Sequence, residues 1–241
     1  MATKIEWTER VWNPVTGCTP RSEGCFNCYA KTMALRLKGM GQKKYANGFI
    51  PTIHHEALKE PYEWKHGMVF VCSMSDLFHD DVPFSFIKKV METIQDNPQC
   101  TFQVLTKRAE RMAEFFTYEY EVPKNVWLGV SCESAKHYGR IFHLKRIIAN
   151  VRFVSCEPLL GDMRDITLDG IDWLITGGEC SNRARRPSPD WFRVLRDRCI
   201  DTNTAFFFKQ WGTWGEDGVK RSKYKNGSLL DGREWKQLPN L

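Results

Sequence analysis

No apolar run in the 241 residues approaches the roughly 20 that a membrane-crossing helix needs, so no membrane partner is expected. The opening M-A-T-K-I-E-W has no apolar core and does not read as a signal peptide. No G-x-G-x-x-G follows the first expected strand, which argues against a doubly wound dinucleotide-binding sheet. Repeats of solenoid period and low-complexity tracts are also missing. Charge of one sign is not strongly dominant: 35 Lys+Arg against 29 Asp+Glu leave +6. That balance permits a nucleic-acid substrate without requiring one. The nine Cys are an odd number and cannot all pair, and without an export signal they imply a reducing compartment, the cytoplasm.

What is present is a strand–helix alternation. Short apolar runs at 68–72, 101–105, 126–130, 151–155, 171–176 and 205–208 read as strands buried on both faces. Amphipathic stretches at 84–95, 108–116, 135–149 and 189–201 read as helices, and Pro83 and Pro189 mark two of their starts. With a further strand around 11–15, six or seven βαβ units predict an α/β fold, a partial or nearly closed (β/α)6-7 TIM-like barrel with parallel strands. Residues 1–210 would form that barrel. Residues 211–241, polar, Gly-rich and basic, would form an extension that covers one end or meets the substrate.

Between the first strand and a helix expected at 30–38 lies a loop rich in Gly, Pro, Ser and Asn that carries Cys18, Cys25 and Cys28. Closely spaced thiolates on such a loop can converge on a metal or cluster. Structural zinc wants four protein ligands, and a cubane [4Fe–4S] cluster usually takes four as well. Here three are supplied and no fourth Cys or His follows nearby, so one position stays open for something that is not protein.

In a β/α barrel the active site lies at the C-terminal ends of the strands. Those positions hold Ser73 to Asp76, Thr106-Lys107-Arg108, Ser131-Cys132-Glu133, Ser155-Cys156-Glu157, Gly177-Gly178-Glu179-Cys180 and Lys209-Gln210-Trp211. Singly, each could be a turn or a helix cap. In register on one expected face, they form a polar cup.

Three Cys ending in C-x2-C before a helix resemble the cluster loop of the radical S-adenosylmethionine (SAM) enzymes. Together W-N-P-V-T-G-C, G-C-x-N-C-Y-A, V-C-S-M-S-D-L-F, L-T-K-R, V-W-L-G-V-S, S-C-E-P-L-L-G, T-G-G-E and F-F-F-K-Q-W-G resemble a phage- and prophage-encoded radical-SAM-like family of unknown function. The first gap of six, with Asn27 before Cys28 and Tyr29 after it, departs from the commonest C-x3-C-x2-C.

The resemblance implies a [4Fe–4S] cluster on Cys18, Cys25 and Cys28, with SAM on the fourth iron and cleaved to a 5′-deoxyadenosyl radical. It implies a flavodoxin or ferredoxin as electron donor, and a nucleotide, a modified base or DNA as substrate, with modification, rearrangement or repair as the reaction in the bacterial host's cytoplasm. Asn27, Tyr29 and Ser73 would border the cofactor. Asp76, Glu133 and Glu157 suit the amino group and ribose of SAM, Lys107 or Arg108 its carboxylate, and Gly177-Gly178 would let backbone approach it. Lys107 and Glu179 would act on the substrate. Cys132, Cys156 and Cys180 are small enough for a core, and one of them could instead give a hydrogen atom to a substrate radical.

Two other readings stay open. One is a zinc-binding nucleic-acid adaptor without turnover, the three Cys completed by His54, His55 or another side chain. The other is a hydrolytic site whose carboxylates hold metal ions.

Overall fold

The computed structural model describes residue 3 and residues 5–239. Parts of the opening segment read above and the last two residues of the expected extension lie outside the described residues. Seven strands build one sheet: β1 (Arg10–Trp12), β2 (Gly67–Val71), β3 (Cys100–Thr106), β4 (Val126–Ser131), β5 (Val151–Cys156), β6 (Trp173–Thr176) and β7 (Ala205–Phe208). Every neighbouring pair is parallel and the spatial order is the chain order. Among the described residues β1 and β7 do not pair, so the sheet curls into a partial barrel. The helices are α1 (Tyr29–Gly39), α2 (Phe84–Gln95), α3 (Ala109–Tyr118), α4 (Tyr138–Lys145), α5 (Pro189–Asp201) and the single turn α6 (Lys223–Asn226). Among the described residues no helix is long and apolar enough to cross a membrane.

The period-2 alternation of a strand sorts its side chains onto two faces. Val69, Val71, Phe102, Val104, Leu128, Val130, Val154, Leu174, Phe206 and Phe208 belong to the large core shared with the helices. Phe70, Trp127, Phe153, Trp173, Ile175 and Phe207 form a second cluster inside the barrel, together with Trp7. The Trp7 ring lies 4.7 Å from Phe70 and 6.1 Å from Trp173, edge-on to both, and plugs the interior. Gly129 is required there, because a Cβ on it would fall 2.4 Å from the Phe153 ring.

Three elements differ from expectation. The first strand ends at Trp12, and Val15–Thr16 pairs antiparallel with Thr52–Ile53, closing off the excursion that holds the Cys loop and α1. The helix expected over 135–149 is a 3₁₀ turn (Ala135–His137) followed by the shorter α4. The strand expected from 171 starts at Trp173, since the Ile171 N–H is spent closing a turn onto the Leu168 carbonyl. Beyond β7, residues 235–237 run along its free edge: Phe208 N–H donates to Trp235 O at 2.8 Å, and Gln237 N–H to Phe206 O at 3.1 Å.

Candidate functional site

Continued past the strand ends, the inward parity lifts Lys107, Glu133, Glu157 and Lys209 to the C-terminal mouth, above the inward-facing Leu105, Gly129, Phe153 and Phe207. The Cys loop reaches this mouth. Cys18, Cys25 and Cys28 are all half-buried and free. Cys18 Sγ lies 3.7 Å from Arg108 Nη1, and Cys25 Sγ accepts the Arg21 N–H at 3.5 Å with Ser22 Oγ at 3.9 Å. Burial, reinforced by Asp76, pushes the Cys18 thiol up to about 11. Burial also opposes ionisation of Cys25, but the Arg21 N–H and the Lys107 ammonium more than offset it and pull that thiol down. Among the described residues no three His, Cys, Asp or Glu side chains gather around a single ion. The donor set is three half-buried thiols on one loop, and Cys thiolates are the ligands that an iron–sulfur cluster takes from protein.

The loop is pinned from three directions. Glu133, wholly buried, accepts Ser22 Oγ at 2.7 Å and Arg140 Nη1 at 2.8 Å and is in contact with Lys107 Nζ. Gly24 is needed for this approach, since a Cβ on it would lie 2.3 Å from Glu133 Oε1. Glu23 accepts Ser134 Oγ and pairs with His137 Nε2, both at 2.9 Å, while its carbonyl accepts Arg185 Nη1 at 2.9 Å. Arg108 donates to Thr19 Oγ1 at 3.0 Å and His79 Nε2 lies 2.8 Å from the same hydroxyl. Burial, with Arg140 adding, pulls Lys107 down to about 8 even though Cys25 favours its charge.

The other expected site residues divide. Glu157 and Lys209 pair at 2.9 Å beside Gly177, whose Cβ would meet Glu157 Oε1 at 3.2 Å. Glu179 is held at the rim by Arg185 through both its side chain and its backbone N–H. Asn27 Nδ2 donates to Arg183 O at 3.3 Å, and Tyr29 Oη to Ser73 O at 2.5 Å, so Asn27, Tyr29 and Ser73 tie the loop to its surroundings. Asp76 is turned into the scaffold: it accepts Thr106 Oγ1 (2.6 Å), Phe78 N–H (3.0 Å), Lys107 N–H (3.1 Å) and Arg108 Nη1 (3.2 Å). Four donors occupy the carboxylate, and the same network engages Arg108.

Gly178 answers to the chain itself, because a Cβ there would fall 1.9 Å from Trp211 O. Cys132 and Cys156 are not brought to the mouth; both are wholly buried in the helix-facing core. Burial pushes Cys132 up to about 12 and Cys156 well above its ordinary value. Cys180 is exposed. His54 is buried with its ring 2.8 Å from Thr16 Oγ1, and His55 packs edge-on to Phe86 at 5.1 Å, so both candidate fourth zinc ligands are engaged elsewhere.

Ser22, Arg140 and Arg185 were not singled out as site residues. Arg185 lies in the basic run R-A-R-R at 183–186, and nothing in the sequence sets it apart from Arg183 or Arg186. Strand parity also marks Lys209, two residues beyond the inward-facing Phe207.

Fold and site together define a partial β/α barrel with a pinned three-thiol loop and buried ion pairs at its mouth. Residues 2–239 match the family described as protein of unknown function (DUF5131), and the chain belongs to it. No curated protein matches it in sequence. Among solved structures it is similar to a cysteine-to-serine mutant of spore photoproduct lyase, at 16% identity and a TM-score of 0.52, over 91% of this chain and 69% of that one. A complex of spore photoproduct lyase with dinucleoside spore photoproduct gives 15% identity and a TM-score of 0.47 over 78% of this chain. The chain spans 60% of the length of that complex's protein. At these identities the likeness is one of fold.

Proposed function

We propose that the protein is a radical SAM enzyme in which Cys18, Cys25 and Cys28 hold a [4Fe–4S] cluster and SAM takes the remaining iron. One observation carries this reading: three half-buried thiols on a single loop are pinned at the C-terminal mouth of a parallel partial barrel. Held by Cys18, Cys25 and Cys28, such a cluster would supply one-electron reduction of SAM and, with it, radical hydrogen abstraction.

The chain's own part is to bind, orient and shield. Lys107, at the inner wall beside Glu133, offers the ammonium for the SAM carboxylate. Glu157, held in place by Lys209 at the end of β5, is the carboxylate for the amino group or a ribose hydroxyl. Glu179, fixed by Arg185, stands at the rim where substrate enters. Trp7, Trp127 and Trp173 close the floor and keep water out of the barrel from below.

A nucleobase or nucleotide is the proposed substrate. Arg186 and Lys220 lie over the Trp214 ring at 5.8 and 4.7 Å, and Lys223 over the largely exposed Tyr224 ring at 5.3 Å. Cations beside aromatic rings suit phosphates and stacked bases. Residues 211–241 would then act as an extension that meets the substrate.

The test is anaerobic reconstitution with iron and sulfide, followed by metal analysis and EPR of the reduced protein with and without SAM. About four irons per chain and a SAM-perturbed signal, both lost in Cys18→Ala/Cys25→Ala/Cys28→Ala, are expected. Tightly held zinc, no sulfide and no response to SAM would refute the reading.

A further inference from the structure

We infer that the outer face of α1, directly beside Cys28, is the docking surface for a small acidic protein that delivers single electrons at low potential. The inference rests on the cluster reading above. From Gly24 to His55 the chain has no Asp or Glu, where its average would place about four, and it carries Lys31, Arg36, Lys38, Lys43 and Lys44. This uniformly cationic stretch is the one that contains the ligand thiols Cys25 and Cys28.

The same stretch leaves apolar groups in water. Phe26 is 81% exposed, Met40 63%, Ile50 66%, Leu35 52% and Met33 41%. α1 buries only Ala30 and Ala34, packed with Tyr45 and Met74 in a small cluster of their own. A helix that shows water so much of its apolar surface, Met33, Leu35 and Met40 beside Phe26, presents the kind of patch that marks a protein interface, here rimmed by cations without acids. Methionine and aliphatic side chains offer nothing to a phosphate or a base edge, which sets this face apart from the cation–aromatic rim around Trp214 and Tyr224. Charge complementarity therefore specifies an acidic protein with an apolar centre.

Placement specifies the cargo. Cys28 is the N-cap residue of α1, so a partner seated along the helix lies within about 18 Å of a ligand thiol. The mouth, built from strand ends, is left to SAM and substrate. In the transfer the carrier is oxidised by one electron and the cluster takes it up; no bond or proton need move.

The probe is purified flavodoxin. Its oxidised form is titrated against the full chain, reconstituted and not, at about 50 and about 200 mM salt, where screening differs twofold in length. The photoreduced form is used in stopped-flow mixing with reconstituted protein. The variants are Lys31→Glu/Arg36→Glu/Lys38→Glu and Met40→Asp, none of them in the cofactor site. Binding that weakens with salt is expected, roughly tenfold weaker binding and slower reduction in each variant, and unchanged iron content and unchanged reduction by dithionite.

Binding and reduction rates equal to wild type in both variants would overturn the inference. So would loss of oligothymidylate binding in the triple variant with flavodoxin unaffected, which would give the face to nucleic acid. A wild-type dimer that Met40→Asp dissociates would give it to a second copy and overturn it as well. Protein that takes up no iron fails the cluster reading alone, because binding of oxidised flavodoxin to unreconstituted chain still reports on the surface: binding lost in the variants supports it, and no binding overturns it.

Discussion

Glu133→Gln removes one negative charge from the point where the Cys loop, β4 and α4 meet. The carboxylate is wholly buried and its two cationic partners nearly so, with side-chain exposures of 19% for Lys107 and 11% for Arg140. The amide keeps the shape and can still accept from Ser22, but it leaves two cations facing each other without a counter-charge. Breaking a buried pair by removing one partner costs about 3–5 kcal/mol. At this chain length each kcal/mol moves Tm by about 2–4 °C, so a drop on the order of 10 °C is expected in thermal unfolding followed by circular dichroism. Glu60→Gln, which removes the partner of Lys44 in a surface pair at 3.3 Å, should cost less than about 1 kcal/mol and serves as control. Adding Lys107→Met to Glu133→Gln should recover part of the loss, because it withdraws one of the stranded cations. A Tm within about 2 °C of wild type for Glu133→Gln would refute the view that this carboxylate anchors the loop.

In the apo protein, thiol titration should find Cys25, Cys28 and the exposed Cys180 reacting fastest, Cys18 more slowly because its thiol is pushed up to about 11, and the buried Cys72, Cys100, Cys132, Cys156 and Cys199 slowest; mass mapping that found Cys132 or Cys156 labelled as fast as Cys180 would contradict their burial. His79 is held neutral by burial and then by Arg108, with its pKa below the ordinary 6.5. The unfolded chain therefore binds more protons between that lowered pKa and about 6.5, and stability falls as pH drops through this window. Tm should fall between about pH 7 and pH 5, and His79→Gln should flatten part of that slope; an undiminished slope would assign it to other groups. Gly129→Ala should destabilise by about 1–3 kcal/mol through overpacking against Phe153, with partial recovery on adding Phe153→Leu; denaturant unfolding that showed no loss would mean that the barrel interior is looser than described.

Much of the fold was legible because local and long-range signals agreed. The helix from Phe84 to Gln95 and that from Pro189 to Asp201 begin at the residues expected, since Pro83 and Pro189 fix their starts. Strands flanked by helices on one side and aromatic residues on the other show as unbroken apolar runs, and A-F-F-F is β7 as read. Boundaries failed where a backbone N–H was claimed by something distant or by a turn, as at Ile171.

In the site, residue identity was easier to see than direction. Asp76 and Glu157 look alike in sequence, yet Thr106, Phe78, Lys107 and Arg108 converge on the first, while Lys209 is the second's hydrogen-bond partner. Cys132 and Glu133 are adjacent and point to opposite faces, a distinction that strand parity carries and spacing does not. Arg185 reaches the Glu23 carbonyl of the loop from far along the chain, and no local pattern announces such a partner.

The strand that closes the sheet has a consequence for the protein's life in solution. β7 is short, aromatic and last in the order, the kind of unpaired edge on which copies of a chain add to one another. Residues 235–237 occupy that edge with their own backbone, and Gln237 Oε1 takes a further N–H from Phe206 at 2.8 Å. The segment thus works as a built-in chaperone for the final strand. A protease cut between Leu230 and Arg233 would uncover a sticky aromatic template, and self-association of the clipped chain would be seen before any loss of the thiol loop.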